Sequence, residues 1–167
     1  KKNYFYFQKF MWDKFVVNNE KLSKVIWPEV ILIKRTSQQI INIDEFNKKG
    51  YPHRTNNGSQ RREIAEFPKI EKFMKSKYGD KMKTISLEDS SIENQVNLFY
   101  NAKLIVAAHG AALINLFYCR PGTAIIETIG LPWYFFDSIS ANLGLRHIKC
   151  DNKLDSIVNN INSFNFR

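Results

Sequence analysis

Cysteine is scarce in this chain, with 2 in 167 residues, Cys119 and Cys150. They lack CxxC spacing and cannot build a disulfide framework. They read as reduced, buried thiols, which favours a reducing compartment and a cytoplasmic location, with a secretory-pathway lumen as the alternative if the chain is a fragment. Glycine and proline are also few, 7 and 5, which excludes a collagenous or low-complexity chain. No apolar run approaches the roughly 20 residues that span a bilayer, so no transmembrane segment is expected. The basic, aromatic start, residues 1–7, is soon interrupted by polar residues and makes a poor signal peptide. Residue 1 is not Met, which suggests a fragment or a processed chain.

Acidic residues are outnumbered by basic ones, 16 against 25, leaving a formal net charge of +9. This balance either favours an anionic partner (nucleic acid, anionic lipid, a phosphorylated small molecule) or describes a lysine-rich solvated surface. Several chemistries have no motif. There is no HExxH, CxxC or EF-hand pattern, no GxSxG elbow, no GxGxxG and no P-loop. No Asp-x-Asp pair is available to bridge a metal to a diphosphate, so no metal is expected. No nucleic-acid-binding motif appears either.

What is present is globular: 44% hydrophobic and 14% aromatic residues, enough for one sizeable core. Residues 4–17 read as an aromatic-rich helix, and residues 1–29 as this helix plus a linker. Residues 30–167 read as one domain. Val30–Ile33 is an uninterrupted apolar run that fits a buried parallel strand. Residues 36–62 are polar and broken by Gly50, Pro52 and Gly58, and read as a long loop with at most a short strand at Ile40-Ile41. Residues 64–78 read as a helix stopped by Gly79. Further strands are expected at 82–87, 103–107, 124–127 and 145–149. They alternate with helices to Tyr100, over 112–118, over 133–143 and from Leu154 to Ile161. Ser90-Ser91-Ile92-Glu93 has the form of a capping box with Ser90 as the cap. Strands alternating with helices predict an α/β, Rossmann-like parallel sheet covered on both faces.

In such a sheet ligands lie beyond the carboxyl ends of the strands. The strongest signal there is Leu104 to Ala112, where an apolar strand runs through His109-Gly110 into a helix of small residues. The first N–H groups of a helix and its positive dipole end suit an anion. Gly110 keeps a Cβ out of the approach, Ala111 and Ala112 leave room, and His109 can donate to a phosphate or a sugar hydroxyl. The alternative is a tight turn whose histidine bonds the backbone. Glu127 ends a strand where a ribose diol would lie, or simply faces solvent. Arg35, Arg61 and Arg62 are candidates for a diphosphate, with solvated loop charges as the alternative. Asn115 faces the ligand or caps a neighbouring loop. His53 and His147 read as structural or exposed. These patterns leave open an enzyme, a non-catalytic nucleotide-binding module and a basic nucleic-acid-binding domain.

The order and spacing of several stretches resemble glycosyltransferase family 61. They are Ile85–Glu88, Glu93–Phe99, Ala102–Val106, His109–Phe117, Pro121–Thr123 and Ile125–Glu127. Ile31–Arg35 and Arg61-Arg62-Glu63 resemble the family's first strand and its arginine motif. Two positions depart from the pattern: Glu63 follows the arginines directly, and Asn94 stands before Gln95. The resemblance spans about Val30 to Cys150 and implies the C-terminal, donor-binding half of a GT-B glycosyltransferase. It further implies an inverting, usually metal-independent transfer from a nucleoside-diphosphate sugar, UDP-linked, to a glycan or protein acceptor. The acceptor-binding half, which often supplies the general base, would then be another domain or a partner chain. The resemblance assigns no catalytic residue here.

Overall fold

Five short segments form the sheet of the computed structural model, which describes residues 2–17, 25–35, 63–88, 90–128 and 135–164. They are β1 (Val30–Ile33), β2 (Met82–Ile85), β3 (Leu104–Ala108), β4 (Ala124–Thr128) and β5 (Arg146–Cys150). All neighbouring strands are parallel, in the order β2-β1-β3-β4-β5. β1, β3 and β4 are buried along their whole length, as central strands covered on both faces must be. The arrangement is α/β and Rossmann-like, as the alternation of segments predicts.

The side chains of each strand alternate between two apolar layers. Ile31, Ile33, Ile105, Ala107 and Ile125 join one. Val30, Leu32, Leu104, Val106, Ala124 and Ile126 join the other. The first layer is covered by α3 (Ile92–Asn101), a 3-10 helix (Ala111–Tyr118) and α4 (Phe135–Leu143). The second is covered by α2 (Phe67–Tyr78) and α5 (Leu154–Ser163). In α2 the buried residues Phe67, Ile70 and Met74 recur at helical spacing, with proline in the first turn. Gly79 ends it at φ +55, a conformation most side chains avoid. The first helix, α1 (Lys2–Trp12), runs on into one π turn over Asp13–Val17. It packs on this same body. Gln8 Nε2 donates to the Cys119 carbonyl at 2.7 Å and Trp12 Nε1 to the Tyr118 carbonyl at 2.9 Å.

The differences from the sequence reading are local. β2 stops at Ile85, not Leu87, and β5 runs one residue later than expected, from Arg146. The hydroxyl that caps α3 belongs to Ser91, which accepts from Asn94 N at 3.2 Å. Ser90 instead offers its carbonyl to Gln95 Nε2 at 2.8 Å. The segment after Gly110 is a 3-10 helix, the tighter form that short connections adopt. Residues 36–62, with Ile40-Ile41, His53, Arg61 and Arg62, lie outside the described residues, as do 131–134.

Candidate functional site

The strand order reverses direction between β1 and β3: the chain first moves outward to β2, then crosses back over β1. The loops after β1 and β3 therefore diverge to opposite faces and leave a crevice at their carboxyl ends. Arg35 follows β1, and His109-Gly110 follow β3. Both are thereby delivered to one spot, and the contacts bear this out. Arg35 Nη1 lies 3.4 Å from the His109 carbonyl. A Cβ built on Gly110 would stand 2.5 Å from the same Nη1. Gly110 has extended backbone, so its missing side chain matters here as space for the guanidinium.

The amides of the turn are arranged in sequence. His109 N donates to the Thr128 carbonyl at 2.9 Å, tying the turn to the end of β4. The first bond of the 3-10 helix runs from Leu113 N to Gly110 O at 3.0 Å. The amides of Gly110, Ala111 and Ala112 precede it, where a helix leaves its N–H groups without intrahelical acceptors. Ala111 is exposed, Ala112 half-buried and Gly110 buried.

His109 and Glu127 meet directly through Nδ1 and Oε1. The carboxylate is only 1% exposed, and its other oxygen lies 2.9 Å from His147 Nε2. Glu127 thus faces two imidazoles rather than an open diol site. His147 is 5% exposed, and its Nδ1 lies 2.9 Å from Ser140 Oγ and 3.6 Å from Asp137 Oδ1. Asp137 in turn pairs with Lys149. The sequence reading missed this group. Its signal is the alternation in β5, where His147 and Lys149 alternate with Ile148 and Cys150, so that one face of the strand is polar.

Glu127, Asp137 and His147 offer ligand atoms within 4.8 Å of one another, a mixed N/O donor set of the kind that suits a divalent transition metal. Lys149 already contacts the Asp137 carboxylate, so the group offsets its own negative charge in part.

Asn115 is buried. Its Nδ2 donates to Gln95 Oε1 at 3.0 Å and to the Ala112 carbonyl at 3.2 Å. Gln95 reaches on to the Leu87 and Ser90 carbonyls. Asn115 therefore takes the second role the sequence allows, tying the helix to the β2–α3 loop. Arg35, His109, Gly110 and Glu127 are brought together, Ala111, Ala112 and Asn115 border them, and Arg61 and Arg62 lie outside the described residues. Two cavities lie at the opposite, amino edge of the sheet: about 250 Å³ beside Lys103, Arg120 and Arg146, and about 410 Å³ beside Trp27 and Lys81.

A family profile described as Glycosyltransferase 61 matches residues 2–126, three quarters of the chain. The match includes α1 and stops one residue before Glu127. No curated protein matches the chain.

Proposed function

The chain belongs to glycosyltransferase family 61, and on that premise we propose that it forms the donor-binding half of an inverting GT-B enzyme using a UDP-linked sugar. The observation that carries this is the convergence of Arg35 and the His109–Ala112 turn at the β1/β3 switch point. The donor's diphosphate lies along the amides of Gly110, Ala111 and Ala112, with the Arg35 guanidinium beside it. Guanidinium N–H groups match phosphate oxygens in pairs.

In the reaction an acceptor hydroxyl oxygen attacks the sugar's anomeric carbon from the face opposite the diphosphate. The bond from that carbon to the β-phosphate oxygen breaks, and UDP leaves with the bonding pair. The developing negative charge falls on the oxygens nearest the turn, where preorganised donors act with little reorganisation. This assigns to amides and Arg35 the task that a metal performs elsewhere, so binding should survive a chelator. His109, with Nδ1 held by Glu127, presents its other ring nitrogen to the ligand. Glu127 acts behind His109, since its buried carboxylate already contacts two imidazoles. The acceptor's proton goes to a base on the facing half, a glycan- or protein-binding unit, and no residue of this chain is assigned to it.

Calorimetric titration with a panel of nucleotide sugars, in the presence of chelator, tests the reading. One-to-one binding of a UDP-sugar, and of UDP alone, is expected. A folded protein that binds no member of the panel rejects it.

A further inference from the structure

The polar group behind His109 extends deeper into the protein than a donor site requires. Ile125 and Glu127 on β4 share a face with His147 and Lys149 on β5, because side chains alternate along each strand and the register pairs Ile125 with His147 and Glu127 with Lys149. That face is the one α4 covers. Asp137 and Ser140 of α4 meet His147 and Lys149 there. The result is a continuous series: His109, Glu127, His147, then Ser140 and Asp137, then Lys149. Side-chain exposure is 16% at His109 and falls to 1% at Glu127 and 5% at His147.

A carboxylate held through one oxygen can still swing about its side-chain bonds. Glu127 is contacted through both, by Nδ1 of His109 and by Nε2 of His147. The second contact, at 2.9 Å, is an electrostatic approach outside hydrogen-bond angles, and His147 Nε2 is buried with no other partner. An isolated buried N–H is costly, so this approach limits where both groups can settle. Ser140 at Nδ1 fixes the ring on its far side.

We infer that His147 is a positioning residue: by pinning Glu127 it holds His109 in the tautomer that keeps hydrogen on Nδ1 and leaves Nε2 to accept from a hydroxyl of the ligand. The ligand's identity rests on the donor reading above, but the tautomer does not. Among the described residues, the polar groups around the two imidazoles include Glu127 from β4, Asp137 and Ser140 from α4, Lys149 from β5 and Arg35 from the end of β1.

The test is long-range proton–nitrogen NMR of the imidazoles, of which the chain has only 3, assigned with His109→Gln. The wild type should show His109 with hydrogen on Nδ1. His147→Leu should give signals averaged between both tautomers. His147→Gln, whose amide nitrogen occupies the place of Nε2, should restore the wild-type pattern. UDP affinity should follow, falling about three- to tenfold in His147→Leu as the hydrogen bond that His109 Nε2 accepts from a ligand hydroxyl weakens, and returning in His147→Gln. Should His147→Leu fail to fold, Ser140→Ala loosens the same ring from its other side and should broaden the His109 tautomer signals. An unchanged His109 spectrum in a folded His147→Leu overturns the inference. A wild type that shows the Nδ1–H tautomer but binds no nucleotide instead overturns the donor reading and leaves this inference standing.

Discussion

Arg35 reaches the turn from the neighbouring strand, so its role depends on what Gly110 leaves open. Its contact with the His109 carbonyl is 3.4 Å, and the Cβ of any residue at 110 would stand 2.5 Å from Nη1. Arg35→Ala should weaken UDP binding by about 1.5–3 kcal/mol, the range for hydrogen bonds to charged groups, or roughly ten- to a hundredfold. Gly110→Ala should displace the guanidinium and cost a similar amount. The double variant should be little worse than either single one, because both remove the same interaction. Additive losses in a calorimetric double-mutant cycle would separate the two residues. At this scale the sequence is legible where residue type alone carries the chemistry: His109, Gly110 and Arg35 stand where strand ends put them. It is not legible where a role depends on pairing across strands. Glu127 reads as a ribose partner by its position, and only the β3–β4 and β4–β5 pairings reveal the imidazoles on both sides of it.

The elements hold the site through two polar ties. Asn115 links the 3-10 helix to Gln95, and Gln95 carries the link to the loop after β2. Asn115→Leu would strand these buried groups, at a cost of about 1–3 kcal/mol. For a domain of this size that lowers Tm by about 2–4 °C per kcal/mol, read by thermal melting. The cap of α3 is a sharper comparison. Ser91→Ala should cost about 1 kcal/mol, while Ser90→Ala should leave Tm nearly unchanged, since Ser90 contributes its carbonyl. Equal losses would return the cap to Ser90. Adjacent serines look alike in sequence, and backbone geometry alone decides between them. The central strands β1, β3 and β4 are legible as apolar runs of about four residues, and the helices as apolar residues at helical spacing. The 3-10 form of residues 111–118 was not, as its composition suits either helix.

Across the whole molecule, the two apolar layers enclose both thiols. Burial pushes the Cys119 thiol far above its ordinary range and raises Cys150 from 9.0 to about 11. A raised thiol contributes stability that is fully present below the ordinary value and lost as pH rises through the folded one. Denaturant midpoints should therefore fall between pH 9.0 and about 11, and a thiol reagent should modify Cys119 only as fast as the chain unfolds. Rapid labelling of the native protein would contradict this packing. Donor binding at the carboxyl edge, at the β1/β3 switch point, is tested by mapping backbone amide shifts during a UDP titration. Gly110, Ala111 and Ala112 should shift most and saturate together, with smaller changes at Arg35. Shifts confined to the amino edge around Lys103, Arg120 and Arg146, with the turn unmoved, would contradict it.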